Sequence, residues 1–288
     1  MLYLAPMKYR LIIAVLLTAI AAANAQPKQA APKGRLFIIG GGNRTAALMK
    51  TMLATAELDK KDYVVVLPMS SAEPDSSYFY FKEDIKSLCS NTIANLNFTA
   101  EKTQDRVWLD SLRHAKLIFI TGGDQVRFMK VVLHTPVYDA IHAAYNQGAT
   151  VAGTSAGAAV MSHEMLTGNE LLGDTAYHET FKKILFGNID IQEGLGLVDS
   201  AIIDQHFIKR SRYNRLISAL AKYPAYPCIG IDESTAVIVE GKKITVTGEG
   251  QVVLLRKPTG LVINGKGQIT WKDVSMAILA EGDSFYMP

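Results

Sequence analysis

One short segment of the chain has the residue types and the spacing of a nucleophilic serine. Gly153-Thr154-Ser155-Ala156-Gly157 fits the pattern G-x-S-x-G, follows the apolar run 149–152 and precedes a run of small apolar residues. In a tight turn between a strand and a helix, this pattern lifts the serine hydroxyl out of the sheet edge. The amide of Ala156 would then donate a hydrogen bond to an oxyanion on the substrate. The segment predicts a serine nucleophile, although a glycine-rich turn that only packs closely would share the pattern.

A serine nucleophile needs a general base, and His206 is the favoured candidate among the six histidines. It follows the apolar run 197–203 in the segment Asp204-Gln205-His206-Phe207, so we expect it at the carboxyl end of a strand, at the same edge as Ser155. The acid that would orient its imidazole stays open on these grounds. Asp204 is close in sequence, whereas Asp232 and Glu233 follow the apolar run 228–231.

Three arginines come directly after this histidine, at positions 210, 212 and 215. Arg212 and Arg215 are three residues apart and would share one face of a helix. A guanidinium binds a carboxylate through two parallel hydrogen bonds, so arginines beside a general base indicate an acidic group on the substrate. A solvated basic helix face is the alternative interpretation.

Other motifs point to no cofactor. Gly40-Gly41-Gly42-Asn43 follows the first apolar run and could hold a phosphate at a helix N-terminus, but its spacing matches neither nucleotide-binding fingerprint. No group of His, Cys and Asp residues has metal-ligand spacing. No basic run is interleaved with aromatic residues, which argues against a nucleic-acid partner. We therefore predict no metal, no cofactor and no nucleic acid.

The elements that must position these residues alternate between short apolar runs and helical segments. Such runs are typical of parallel strands covered on both faces, and the alternation predicts a doubly wound α/β sandwich with its site at the carboxyl ends of the strands. From residue 227 onward the chain is rich in β-forming residues, and glycine-containing links predict hairpins in an antiparallel extension on the same core. The predicted parallel strands are 35–39, 63–67, 117–121 and 149–152, the helices 45–58 and 136–147, and the hairpin strands 235–239, 243–247 and 251–255.

The N-terminus has the features of a secretory signal peptide in a chain of 288 residues. Lys8 and Arg10 precede a short apolar run, and Ala23-Asn24-Ala25 supplies an A-x-A cleavage site. We expect a signal peptide at 1–25, a tether at 26–33 and a single α/β domain at 34–288. The mature protein would be secreted or periplasmic, with no membrane segment after cleavage. An uncleaved membrane anchor is the alternative.

Charge and cysteine content add little to this. Loss of Lys8 and Arg10 would lower the formal net charge from +3 to +1, so the exported protein is not strongly basic. Cys89 and Cys228 form no disulfide framework, and two free thiols are the favoured interpretation, with pairing left open.

Taken together, four motifs resemble the cyanophycinase family of serine peptidases, relatives of aspartyl dipeptidases of the peptidase E type. The resemblance runs from about Gly34 to Leu255. The motifs are Gly122-Gly123-Asp124-Gln125, Gly153-Thr154-Ser155-Ala156-Gly157, Asp204-Gln205-His206-Phe207 with the three arginines, and Gly230-Ile231-Asp232-Glu233-Ser234-Thr235-Ala236.

The resemblance implies a three-layer α/β sandwich with a mostly parallel, flavodoxin-like or class I amidotransferase-like sheet. It implies Ser155 as nucleophile, His206 as base and Glu233 as orienting acid. The oxyanion would be held by the amide of Ala156 and that of Gly122 or Gly123. The substrate-binding residues that the resemblance implies are Gln125, Asp204, Gln205, Arg210, Arg212 and Arg215.

The implied reaction is hydrolysis of β-aspartyl isopeptide bonds. Its substrate would be a peptide or polyamide, above all cyanophycin, a poly-aspartate with an arginine on each side-chain carboxyl, which is degraded to β-Asp-Arg dipeptides. The resemblance also allows a homodimer. An exported isoaspartyl or aspartyl dipeptidase acting on short peptides, and a non-catalytic amidotransferase-like binding protein, are the alternatives.

Overall fold

The apolar runs in the first half of the chain form the parallel part of an eight-stranded sheet. The computed structural model describes residues 33–173 and 178–287, so the expected signal peptide and residues 26–32 of the expected tether lie outside the described residues. The parallel strands lie in the order β1-β5-β4-β2-β3. They are β1 Arg35–Ile39, β2 Tyr63–Leu67, β3 Thr92–Asn95, β4 Leu117–Ile120 and β5 Thr150–Thr154.

Helices connect these strands, and local sequence signals set where the predicted helices begin and end. The predicted helix 136–147 is confirmed, because Pro136 suits the first helical turn and Gly148, in the left-handed region, ends the helix. The predicted helix 45–58 is confirmed in shorter form. The helices of the described residues are α1 Ala46–Ala56, α2 Pro74–Ile85, α3 Arg106–Arg113, α4 Gln125–Val132, α5 Pro136–Gln147, α6 Ala156–Ala159 and α7 Tyr213–Lys222.

Alternate residues of each central strand pack on opposite sides of the sheet. Phe37 and Ile39 of β1 contact the core formed with α1 and α2. Leu36 and Ile38 contact the core on the other side, which includes apolar residues of α3 and α5. Both faces are therefore buried, which explains why these strands are continuous apolar runs. The predicted three-layer α/β sandwich with a mostly parallel sheet is confirmed.

Strands in the second half of the chain extend the main sheet and build smaller ones. The first predicted hairpin is confirmed, since β10 and β11 pair antiparallel and extend the main sheet beyond β1. The strands in the second half of the described chain are β6 Glu164–Glu170, β7 Ile189–Glu193, β8 Ile202–Asp204, β9 Cys228–Ile231, β10 Thr235–Glu240, β11 Lys243–Gly248, β12 Val252–Thr259, β13 Val262–Ile263, β14 Ile269–Thr270, β15 Asp273–Leu279 and β16 Ser284–Tyr286.

The second predicted hairpin is wrong, because β12 leaves the main sheet. It pairs instead with β9 and β15, in a second sheet of order β15-β12-β9-β8. Val252 and Leu254 pack into the core beneath the main sheet, whereas Val253 and Leu255 pack with apolar residues of α7. A strand with two apolar faces gains most by burial between two layers, so β12 lies under α7 rather than at the main-sheet edge.

The described chain from residue 33 onward belongs to one compact unit. Within residues 33–173 and 178–287, no helix has both the length and the apolar character needed to cross a bilayer. Cys89 and Cys228 are both free thiols, and Cys228 is buried in β9.

Candidate active site

Ser155 occupies a strained turn between β5 and α6. Its backbone has φ 54° and ψ −110°, a conformation that costs energy in any residue with a side chain. A Cβ at Gly153 would lie 2.3 Å from the carbonyl oxygen of Gly157, and a Cβ at Gly157 would lie 2.3 Å from that of Ile120. Both glycines of the motif are therefore required by close backbone contact. The predicted strand–turn–helix context of Ser155 is confirmed.

Ser155, His206 and Glu233 are joined by hydrogen bonds. His206 Nε2 lies 2.9 Å from Ser155 Oγ, and His206 Nδ1 lies 2.6 Å from Glu233 Oε1. The other two acids considered from the sequence are engaged elsewhere. Asp232 Oδ1 accepts a hydrogen bond from the amide of Lys209, and the Asp204 carboxylate bonds with an arginine. Of the three acids, Glu233 therefore contacts the imidazole.

The sequence prediction that His206 lies on the same sheet edge as Ser155 is wrong in detail. Ser155 follows β5 of the main sheet, whereas His206 follows β8 and Glu233 follows β9 of the second sheet. Strands β8 and β9 are parallel neighbours, so the residues after them emerge side by side. The carboxyl end of β5 lies next to the carboxyl ends of β8 and β9 because the second sheet packs against the core that it shares with the main sheet.

The glycine turn after β1 joins the two sheets at this point. The carbonyl oxygen of Gly40 accepts a hydrogen bond of 2.6 Å from the amide of His206, and that of Gly41 accepts one of 2.9 Å from Ser234. A Cβ at Gly41, where φ is +109°, would lie 2.3 Å from the imidazole ring. The sequence of this turn indicates only a weak phosphate site. Gly41 instead makes room for His206 and Gly42 for Glu233. The signal in the sequence was the run of glycines directly after a strand.

The predicted oxyanion donors also lie around Ser155. Ala156 is the first residue of α6, where the first amides of a helix have no partner within it. A Cβ at Gly122 would be 3.5 Å from that of Ser155, so this glycine lies beside the hydroxyl. Gly123 is held by a turn in which the amide of Asp124 donates to the carbonyl oxygen of Ser70, at 2.8 Å.

A cavity of about 450 Å³ opens beside Ser155 and contains most of the predicted substrate-binding residues. Arg210 is the most accessible of its three arginines and lies 3.6 Å from the exposed carboxylate of Glu179. Arg212 is buried, and it donates to the backbone and side-chain oxygens of Gln205 at 2.8 and 2.7 Å. The predicted residues that line this cavity are Gln125, Gln205, Arg210, Arg212 and Arg215.

The sixth predicted residue, Asp204, lies beneath the arginines. Its carboxylate accepts hydrogen bonds from Nε and Nη2 of Arg215, and both side chains are almost fully buried. It also accepts from the amide of Gln205, at 2.7 Å. In this arrangement Asp204 orients Arg215, while Gln125 is fixed by donating its amide to the carbonyl oxygens of Leu166 and Thr167.

Comparison with known proteins identifies the family. Residues 36–247 match the family model described as peptidase family S51. The cyanophycinases of Trichormus variabilis and of Nostoc sp. are each 32% identical to the chain and cover 89% of it and 87% of their own length. The chain belongs to peptidase family S51. The resemblance to the cyanophycinase family is thereby confirmed, and the chain is a serine peptidase by family.

Solved structures support the fold of this S51 peptidase. A peptidase from an acI-B1 actinobacterium superposes with a TM-score of 0.66, at 20% identity, over 90% of this chain and 99% of its own. A peptidase E candidate from Listeria monocytogenes superposes with a TM-score of 0.52, at 16% identity, over 75% of this chain and 99% of its own. The peptidase E-like α/β fold expected from the sequence is the fold observed.

The electrostatic setting of the S51 peptidase favours a neutral imidazole. Burial lowers the pKa of His206 below its ordinary value of 6.5. The hydrogen bond that Nδ1 donates to Glu233 opposes this shift, while the positive charges of Arg210 and Arg212 reinforce it. Neutral His206 can accept a proton from Ser155. Within the described residues no three His, Cys, Asp or Glu side chains form a group that could hold a metal ion.

Proposed function

We propose that this S51 peptidase hydrolyses cyanophycin to β-Asp-Arg dipeptides through an acyl-enzyme formed on Ser155. The observation that carries the proposal is the hydrogen-bonded series Ser155–His206–Glu233 at the wall of a cavity lined by three arginines. The names of the curated relatives support the same substrate. The role of each residue follows from its contacts.

His206 acts first as general base. It takes the proton of Ser155 Oγ through Nε2 while that oxygen attacks the carbonyl carbon of the substrate. Glu233, bonded to Nδ1, holds the imidazole in the required tautomer and stabilises the imidazolium that forms. The amides of Ala156 and of Gly122 or Gly123 hold the oxyanion, a contribution typically worth ~10²–10³ in rate for one donor. His206 then protonates the departing amine, and water hydrolyses the acyl-enzyme.

The product determines which bond is cut. A β-Asp-Arg dipeptide still contains the isopeptide link between aspartate and arginine. Its release therefore requires hydrolysis of the aspartyl backbone amide next to that link, not of the β-aspartyl link itself as the resemblance first suggested. The substrate remains a β-linked aspartate, and the amine that leaves is the α-amine of the neighbouring aspartate.

The arginine cavity is suited to the arginine carboxylate of the β-Asp-Arg unit that becomes acylated. Arg215 is held rigidly by Asp204 and Arg212 by Gln205, so both guanidinium groups are oriented before substrate binds. A fixed guanidinium binds a carboxylate with little loss of side-chain entropy. This would favour β-Asp-Arg units, which carry a free arginine carboxylate, over ordinary peptide segments.

We further propose that the enzyme acts outside the cytoplasm after cleavage behind Ala25. The sequence pattern at 1–25 is the support for this part of the proposal. Expression of the full chain followed by N-terminal sequencing of the exported protein tests it, with Gln26 as the expected first residue.

The activity is tested with mature protein and purified cyanophycin, following β-Asp-Arg by mass spectrometry. We expect dipeptide release that falls by at least about 10³-fold in Ser155→Ala. Short isoaspartyl peptides are assayed in parallel. Cleavage of those peptides without cleavage of cyanophycin by folded wild-type protein would assign a dipeptidase instead, and activity that survives in Ser155→Ala would remove Ser155 from the mechanism.

A further inference from the structure

A second, smaller cavity of about 280 Å³ also borders Ser155. Its wall includes Ser155 and His206 together with Arg44, Ser77 and Tyr80. Arg44 follows the glycine turn after β1, while Ser77 and Tyr80 belong to α2. Tyr80 is 62% exposed and forms part of the cavity wall toward solvent.

The position of His206 distinguishes the two cavities. In serine hydrolysis the base returns its proton to the leaving amine, so the leaving group must lie within reach of His206 Nε2. Among the described residues, His206 lines the smaller cavity with Ser155, whereas the larger cavity has Ser155 and the three arginines in its wall. The smaller cavity is therefore the place for the leaving residue, and the larger one holds the residue that is acylated.

Arg44 lines the smaller cavity, and its guanidinium group is held in one orientation. Its Nε and Nη2 both lie 2.6 Å from Oδ2 of Asp84, and its guanidinium carbon lies 5.9 Å from the centre of the Phe119 ring. The side chain is only 21% exposed. Within the described part of the chain its Nη1 makes no hydrogen bond. A cation fixed in this way by a carboxylate behind it remains able to bind a second carboxylate.

We propose that Arg44 binds a carboxylate of the leaving residue and thereby selects substrates that carry one. This inference rests on the function proposed above, and it makes Arg44 a specificity-determining residue while Asp84 positions it. In a two-unit fragment of cyanophycin the leaving unit has two carboxylates, that of its aspartate backbone and that of its arginine. Either carboxylate could bind the guanidinium, and synthetic fragments in which one or the other is amidated distinguish between them.

The test uses three synthetic fragments of two β-Asp-Arg units. One has both carboxylates of the leaving unit free, one has the backbone carboxylate amidated, and one has the arginine carboxylate amidated. We expect the wild-type enzyme to lose about 10- to 100-fold in kcat/KM on one amidated fragment, as for a lost charge-assisted hydrogen bond. That fragment identifies the carboxylate that Arg44 binds.

Variants then assign the preference to Arg44. In Arg44→Gln the ratio of kcat/KM between the free and the amidated fragment should approach one, and Arg44→Lys should retain part of it. Lys82→Ala, which removes an exposed cation of α2, the helix that also contains Asp84, is the matched control and should keep the wild-type ratio. Because each variant is judged by a ratio, a partial loss of folded enzyme does not alter the result.

Two outcomes would overturn the inference. Equal wild-type rates on all three fragments would show that no leaving-side carboxylate is recognised, and an unchanged ratio in Arg44→Gln would assign the recognition to another group. Failure of the proposed function gives a different result: either the folded wild-type enzyme hydrolyses none of the three fragments, or Ser155→Ala hydrolyses them as fast as the wild-type enzyme.

Discussion

The protonation state of His206 controls the chemistry at the scale of single residues. Burial is the largest influence on this imidazole and lowers its pKa below 6.5, with Glu233 acting against the shift and Arg210 acting with it. Protonated His206 cannot accept the proton of Ser155. The activity should therefore rise with pH as the pKa of His206 is passed. Removal of Glu233 and removal of Arg210 should shift this rise in opposite directions.

We predict that kcat/KM of the wild-type enzyme rises with pH and reaches half of its maximum below pH 6.5. Glu233→Gln removes a carboxylate that raises the pKa of His206, so the rise should move to lower pH, with a maximum reduced by roughly 10²–10⁴-fold. Arg210→Gln removes a cation that lowers this pKa, so the rise should move to higher pH. The measurement is kcat/KM against pH for one substrate and three proteins. Shifts of the two variants in the same direction would contradict the assignment of His206.

At the scale of elements, the turn 40–42 shapes the site because its three glycines have no side chains. It accepts backbone hydrogen bonds from His206 and Ser234, and Gly41 leaves the space that the imidazole fills. A side chain at position 41 would compete with His206 for this space and would also suffer from its positive φ. The turn is therefore tied to activity even though it contributes no reacting group.

We predict that Gly41→Ala lowers kcat/KM by on the order of 10²-fold, because it displaces His206 from Ser155. Gly241→Ala is the matched control. Gly241 also has a positive φ, +58°, but a Cβ there would meet nothing within 4 Å. It should keep full activity and lose about 1 kcal/mol of unfolding free energy. Both variants are compared by steady-state kinetics and urea unfolding, and equal activities would show that position 41 does not determine the placement of His206.

At the scale of the whole molecule, the site is built from residues of two sheets, and a buried ion pair holds the second sheet to helix α7. β8 of the second sheet delivers Asp204, whose carboxylate bonds with Arg215 of helix α7 in a fully buried ion pair. The pair connects the second sheet to the helix that covers it, directly beneath the arginine cavity. Loss of one member of a buried pair leaves the other charge without compensation in a region of low dielectric constant.

Asp204→Asn should accordingly lower the unfolding free energy by about 3–5 kcal/mol. Glu83→Gln removes one member of the exposed pair with Lys86 and should change it by less than about 1 kcal/mol. Urea unfolding followed by circular dichroism measures both. A destabilisation of Asp204→Asn no larger than that of Glu83→Gln would mean that the ion pair contributes little to the fold.

Local sequence determined much of this protein. The continuous apolar runs of β1, β2, β4 and β5 follow from burial on both faces, and the helix 136–147 has its start and stop signals in Pro136 and Gly148. The motif around Ser155 is also fixed by close neighbours, since Gly153 is required by the carbonyl oxygen of Gly157 in the same turn and Gly157 by that of Ile120 in the adjacent strand β4. These features depend on contacts within or beside one element, which residue types and spacing express directly.

Tertiary structure decided how the distant segments meet. Residue types alone left Asp204, Asp232 and Glu233 open as the partner of His206, and only the resemblance to cyanophycinases favoured Glu233. The structure brings Glu233 to the imidazole because β8 and β9 are parallel neighbours, and it moves β12 into a second sheet. Such pairings join residues far apart in sequence through the packing of whole layers, so no local pattern of apolar and polar residues encodes them.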